Sequence, residues 1–187
     1  AAVRAHNLGI AIGQRTYGKG VAQIVLDDSS SNASIAELFN GDCLKVTTYR
    51  FYAPDGATND TVGVIPTLLV SQANTQAAAL LLRADAPSIA NGSYKLELAG
   101  YTFYIDQTDA RHADNRAAFT ELLEALPPSA KLYEGHGGST WTLVTPESLA
   151  QNLGLDFQSR MFSDVTNSPF ADAINTLVVY GLVSGYE

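Results

Sequence analysis

Lys19 stands between Gly18 and Gly20, where a turn gives way to the apolar run Val21-Ala22-Gln23-Ile24-Val25-Leu26. Glycine on both sides lets the backbone take positive φ or approach another group closely. A lysine on such a turn can be held in one place, and three chemistries are open to it. It can bind a phosphate, it can lose its proton in a partly desolvated site and act as a general base for a serine, or it can be a solvated charge at a hairpin tip.

The phosphate reading fails on residue types. Gly13-x4-Gly18-Lys19 meets seven of the eight positions of a P-loop, but the eighth should be Ser or Thr to hold magnesium, and a helix should follow. Here Gly20 replaces the hydroxyl and a strand pattern follows. Gln23 lies four positions beyond Lys19, and in a strand that spacing puts both on one face, because side chains alternate with period two. An amide there can hold an amine in line. On spacing alone, the general base and the solvated turn both remain open.

Other candidates carry less. His6, His112 and His136 are far apart and none has metal-ligand spacing with an acidic neighbour, so neither a metal nor a cofactor is expected. Gly135-His136-Gly137-Gly138 has the composition of an anion-binding nest, and equally of a plain loop. Asp106, Asp109, Arg111 and His112 form a polar loop after a strand, which reads as a solvated turn. Trp141 and the nearby tyrosines could stack on sugar rings, although aromatic residues more commonly fill cores. Cys43 is the single cysteine, which excludes an intramolecular disulfide, and its apolar run predicts a small core residue.

Composition narrows the classes. The chain has 187 residues, 46% of them hydrophobic, enough for one large or two small domains with a real core. A formal charge of −8 argues against nucleic acid, whose phosphates need a basic footprint. No apolar run is long enough to predict a membrane-spanning helix, and the first residues do not read as a signal peptide.

The elements that must position these groups follow from pattern. Ala1–Gly9 reads as the tail of a helix with Gly9 as its C-cap. Val21–Leu26 and Cys43–Tyr52 read as strands, Ser34–Phe39 as one helical turn, and Thr61–Val64 as a short strand closed by Pro66. Asn74–Ala84 is helical and stopped at Ala86-Pro87. Tyr94–Leu98 and Tyr101–Asp106 form a hairpin around Gly100. Ala113–Leu126 is a helix with Phe119, Leu122, Leu123 and Leu126 on one face. Lys131–Tyr133 and Trp141–Val144 are extended, and Thr145-Pro146 opens a helix running to Leu153. The expected class is α+β or α/β, in three parts: residues 1–72, a small α+β accessory domain over 73–160, and a C-terminal helical stretch over 161–187.

Three blocks in register carry a resemblance. Gly13-x-x-Thr16-Tyr17-Gly18-Lys19-Gly20-x-x-Gln23, Leu44-Lys45-Val46-Thr47-Thr48-Tyr49-Arg50-Phe51-Tyr52-Ala53-Pro54-x-Gly56 and Gly63-Val64-Ile65-Pro66 together resemble the C-terminal processing, or tail-specific, serine peptidases. The resemblance covers roughly residues 1–70. It implies a part of a ClpP/crotonase-like peptidase core, a Ser–Lys dyad with Lys19 as general base, and Gln23 as the residue that orients it. Thr67 departs from the family pattern, where an aspartate usually follows the proline. The family's serine sits at the start of a helix upstream of the lysine, whereas the first serine of this chain is Ser29. The expectation is therefore the C-terminal half of a catalytic domain, inactive by itself.

A second resemblance lies at the end. Phe162-Ser163-Asp164-Val165, Phe170-Ala171-x-x-Ile174-x-x-Leu177 and Gly181-Leu182-Val183-Ser184-Gly185-Tyr186 resemble the opening half of an S-layer homology repeat, which implies a cell-surface setting and a cell-wall polymer as partner of the parent chain. The implied substrates are protein or peptide tails. The alternative function is a non-catalytic surface-binding or structural module with a vestigial peptidase half. A half-domain of this kind leaves a sheet edge unpaired, which predicts a homodimer.

Overall fold

The structure is a computed structural model that describes residues 2–29, 39, 41–159, 162, 164–165, 167–179 and 183–184. In chain order its elements are α1 (Ala2–Ala5), β1 (Ile12–Gly13), β2 (Val21–Asp27), β3 (Cys43–Arg50), β4 (Leu68–Leu69), α2 (Thr75–Leu81), β5 (Ser93–Leu98), β6 (Tyr101–Asp106), α3 (Gln107–Arg111), α4 (Arg116–Glu124), β7 (Lys131–Gly135), β8 (Trp141–Val144), α5 (Pro146–Leu153) and α6 (Ala171–Val179). Mixed α and β structure is what the sequence predicts. The chain forms two compact units, one of residues 1–8 and 15–65, the other of 9–14 and 66–187. A division at residue 72 follows sequence order, whereas the compact units interleave.

In the first unit, α1 ends earlier than expected. The helix stops at Ala5 and Asn7 takes the left-handed conformation at φ 50°. The Leu8 amide then donates to the Val3 carbonyl at 2.9 Å, closing a Schellman turn with Asn7, not Gly9, at the left-handed position. Asn tolerates that conformation because its short side chain bonds locally. β2 and β3 pair antiparallel from Val21↔Arg50 to Asp27↔Cys43, with a bulge where Gln23 pairs with Thr47 and Thr48 is left over. Cys43 is exposed, which corrects the core assignment: it lies on a ribbon that has two strands among the described residues. Thr61–Val64 is a turn instead of a strand. Thr61 and Gly63 both have positive φ, 65° and 80°, and an extended path cannot pass through them. The Ser34–Phe39 turn lies, apart from Phe39, outside the described residues.

The second unit holds the core. β5 is central in a four-stranded antiparallel sheet of order β6-β5-β7-β8. Its inward residues Tyr94, Leu96 and Leu98 are buried, with Leu132 from β7 and Ile105 from β6. Ala118, Phe119, Leu122 and Leu123 of α4 pack on them, and Tyr94 stacks on Phe119 at 5.9 Å between centroids. Leu126 is buried too, so the predicted apolar face is the one that packs, although the first three residues of the expected helix form a 3-10 turn. The β5–β6 hairpin turns through Ala99 and Gly100, both at positive φ (51° and 82°), as a two-residue turn of this hand requires. Thr145 caps α5 in a reciprocal capping box with Ser148, and Gly154 ends it in the left-handed region. β1 and β4 pair in parallel, Ile12↔Leu68 and Gly13↔Leu69, and Leu68 and Val70 join the same core.

α6 carries Ala171, Ile174 and Leu177 of the expected half-repeat, with Ala171 buried and Leu177 exposed. Its Asp172 accepts a hydrogen bond from the Ser129 amide at 3.0 Å. Of residues 181–186, only Val183 and Ser184 are among those described. Among the described residues, no helix is long and apolar enough to cross a membrane.

Candidate active site

The loop that carries Lys19 is built by close backbone approach. Gly18 has φ 88°, and a Cβ added there would stand 2.6 Å from the Gly63 nitrogen. A Cβ on Gly20 would stand 2.6 Å from the Asp60 side chain, and one on Gly63 would fall onto the Thr16 carbonyl. Three glycines are therefore needed where segments 16–20 and 59–64 press together. The contact is sewn by hydrogen bonds. The Thr61 amide donates to Gly18 O at 2.7 Å, the Thr16 amide to Val64 O at 3.2 Å, and the Val64 amide to Thr16 Oγ1 at 2.8 Å.

Asp60 closes the arrangement. Its Oδ1 accepts from the Gly20 amide at 3.0 Å, and its Oδ2 lies 3.7 Å from the Arg50 guanidinium. The Gly20 carbonyl accepts from the Phe51 amide at 2.7 Å, which continues the β2–β3 pairing by one step. Lys19 is thus carried on a peptide segment whose neighbours on both sides are hydrogen-bonded.

Lys19 is exposed and lines a cleft of about 300 Å³ together with Thr16, Phe51, Tyr52, Pro54 and Asn59. The cleft is open, with aromatic and apolar walls. Apolar walls with a few placed polar groups are the usual make-up of a ligand site. None of the described residues lining it is a serine.

Gln23 does not line this cleft. Its amide nitrogen donates to Thr47 Oγ1 at 3.0 Å across the ribbon. The period-two argument that linked it to Lys19 presumes a strand through both residues, whereas β2 begins at Val21. Pairing with Thr47 is the local consequence of the bulge, which brings Thr47 opposite Gln23.

Asp60, Gly63 and Thr16 shape the loop, and Asp60 in particular escaped sequence reasoning. Gly63 and Thr16 belong to the quoted blocks. Asp60 lies in a polar turn stretch, Asn59-Asp60-Thr61, where an acidic residue is ordinary. Only its 40-residue separation from Gly20, closed in the fold, gives it a task.

The polar candidates of the second unit have local structural partners. Asp106 caps α3 by accepting from the Thr108 and Asp109 amides at 2.7 and 3.2 Å. Asp109 pairs with Arg83 at 2.5 Å, and His112 Nδ1 accepts from the Asp114 amide at 3.4 Å. In the 135–138 loop, Gly138 O accepts from the Ala90 amide at 2.8 Å. Among the described residues, no three His, Cys, Asp or Glu side chains come together as metal ligands.

Comparison with known proteins agrees with the site-bearing stretch. Residues 1–70 match the family model of peptidase family S41. Over that stretch the chain is similar to the serine peptidases of this family, and the match includes all three sequence blocks. Neither the curated proteins nor the solved structures give a match.

Proposed function

We propose that residues 1–70 are the general-base part of a serine endopeptidase of the C-terminal processing type, with a ClpP/crotonase-like core completed by polypeptide outside these 187 residues. The observation that carries the reading is the Gly18-Lys19-Gly20 loop, hydrogen-bonded on both flanks and opening on an apolar-walled cleft, within the stretch that matches the family model. In this mechanism the amine of Lys19 accepts the proton of a serine hydroxyl as its oxygen attacks the scissile carbonyl carbon. Collapse of the tetrahedral adduct releases the C-terminal product with the proton returned to its nitrogen, and water then hydrolyses the acyl-enzyme. Gln23 orients Lys19 in the assembled enzyme, exchanging its bond to Thr47 for one to the amine.

Because the hydroxyl comes from elsewhere, the 187-residue chain does not itself turn over peptide. The test is hydrolysis of an unfolded reporter peptide by this chain and by the protein extended upstream through a serine at a helix start. The extended protein cleaves and loses cleavage on Lys19→Ala; turnover by the 187-residue chain, abolished by Lys19→Ala, refutes the division of the dyad. The setting is extracytoplasmic and the substrates are protein or peptide tails. The half-repeat over residues 162–187 contributes to holding a cell-wall polymer in the parent chain.

A second reading is a surface module that binds or positions, with Lys19 a relic. It is favoured by where the buried core lies, within residues 9–14 and 66–187. Retention on purified cell-wall polymer without any upstream-dependent peptidase activity selects it. In either reading the β2–β3 ribbon, whose Val25, Leu44 and Tyr49 are exposed, pairs with a second copy, and light scattering reads a dimer.

A further inference from the structure

The outward face of the four-stranded sheet is aromatic. Register puts Tyr104, Lys95, Tyr133 and Leu143 in one row across β6, β5, β7 and β8, opposite in direction to the buried residues between them. Trp141, paired with Gly135, reaches over the sheet so that its ring centre lies 5.9 Å from that of Tyr104, tilted by 48°. The Lys95 ammonium stands 4.0 Å from the Tyr133 ring centre and 5.6 Å from that of Trp141. Tyr133 donates its hydroxyl to Glu97 at 3.2 Å, and Lys95 pairs with Glu97 at 3.3 Å. None of these rings is in the core, and each is only half-buried. Three aromatic side chains are thus fixed side by side with their surfaces partly open.

A cavity of about 520 Å³ adjoins this row, with Tyr104 on its wall. Its other sides bring Arg83, Asp85, Pro87, Ser93 and Asp106. A volume in this range is that of an ordinary small-ligand site. The lining thus combines an aromatic residue with an arginine, whose guanidinium also pairs with Asp109, two aspartates and a serine. Arg83 is brought there by its isolated backbone bridge to Tyr104, with hydrogen bonds of 2.9 and 2.8 Å.

We propose that this cavity and the Tyr104–Trp141 pair form a binding site for a neutral saccharide. A pyranose ring has an apolar C–H face that stacks on an aromatic ring, and a rim of hydroxyl groups that both donate and accept. Tyr104 and Trp141 supply the stacking surface. Asp85 and Asp106 accept hydrogen bonds, and Arg83 and Ser93 donate. The mixed charge disfavours the other ligands that stack on aromatic rings: a nucleic acid would bring phosphates to two carboxylates on a chain of net charge −8. An apolar peptide would bury the Asp85 carboxylate of this wall against apolar groups, at a desolvation cost. The site is independent of the peptidase reading, since none of its residues belongs to the matched stretch 1–70.

The chain contains a single tryptophan, Trp141, so its fluorescence reports on this site directly. The experiment titrates the 187-residue protein with cellohexaose and hexa-N-acetylchitohexaose as neutral probes, and with a thymidine oligonucleotide and a proline-rich peptide as competitors. A saturable change of emission is expected with at least one neutral oligosaccharide and with neither competitor. Tyr104→Ala weakens that binding about tenfold, Tyr104→Phe retains it, and Lys19→Ala leaves it unchanged. Arg83→Gln, at an exposed position, weakens it several-fold and serves if Tyr104→Ala fails to fold by circular dichroism. No change with either oligosaccharide at millimolar concentration overturns the proposal, as does binding unaltered by both Tyr104→Ala and Arg83→Gln, or a response only to the oligonucleotide or peptide.

Discussion

The Gly20 amide donates to the Asp60 carboxylate at 3.0 Å, across 40 residues of sequence, and the other oxygen of that carboxylate faces Arg50. This bond holds the C-terminal side of the lysine loop where the Thr61–Gly18 bond holds the other. Asp60→Ala leaves the Gly20 amide without its acceptor and costs on the order of 1 kcal/mol. Amide hydrogen exchange at Gly20 and Thr61 should accelerate, while exchange in β5 should not. Unchanged exchange at Gly20 would show that the bond does not restrain the loop.

Gly63→Ala should be the more damaging change. The residue has φ 80°, and its added methyl would collide with the Thr16 carbonyl. Strain and collision act together, so the loss of stability exceeds the ~1 kcal/mol of a strained φ by itself. Gly56, also at φ 80°, has nothing within 4 Å of its added Cβ, which makes Gly56→Ala the control for φ without collision. Denaturant midpoints of the two variants separate the terms.

In the second unit, Glu121 of α4 gathers the segment that precedes α2. Its carboxylate accepts from the Ser71 amide at 2.6 Å, the Ser71 hydroxyl at 2.9 Å and the Asn74 side chain at 2.7 Å. Glu121→Ala removes the acceptor of a part-buried amide and should destabilise by about 1–3 kcal/mol. Thermal unfolding followed by circular dichroism measures it.

Asp106 makes stability depend on acid. Burial by itself would raise the pKa of its carboxyl, but the Asp109 and Thr108 amides and the Arg83 charge outweigh that and hold it below the usual value. A carboxylate with a lowered native pKa contributes stability that is fully present above its unfolded pKa and is lost as pH falls through the native one. Asp106→Asn keeps a good helix cap while removing the titration. Unfolding free energy measured from neutral pH downward should therefore fall less steeply in the variant, and identical acid limbs would exclude the effect.

Much of the local structure was legible because it depends on neighbours in sequence. The period-two pattern of 94–106, the apolar face of 119–126 and the Thr145-Pro146 start each encode an element whose hydrogen bonds are short-range. The lysine loop was marked by its glycines and by the three blocks of the family pattern. Where turn chemistry decided, pattern misled: Thr61–Val64 has strand-like residues, yet positive φ at Thr61 and Gly63 folds it back. Cys43 looked like core because its run is apolar, but burial depends on what packs over a strand.

The amino-acid sequence determined by itself the β5–β6 hairpin, the apolar face of α4 and the start of α5, where the glycines lie, and that Lys19 stands between two of them. Only the tertiary structure decided that Asp60 and Gly63 close on that loop, that Gln23 bonds Thr47, and that Trp141 and Tyr104 meet on the outer face of a sheet. The physical reason is range. Propensity and periodicity act within a few residues, whereas these pairings join residues far apart in sequence, through a backbone contact, a bulge and a four-stranded register that no local pattern specifies.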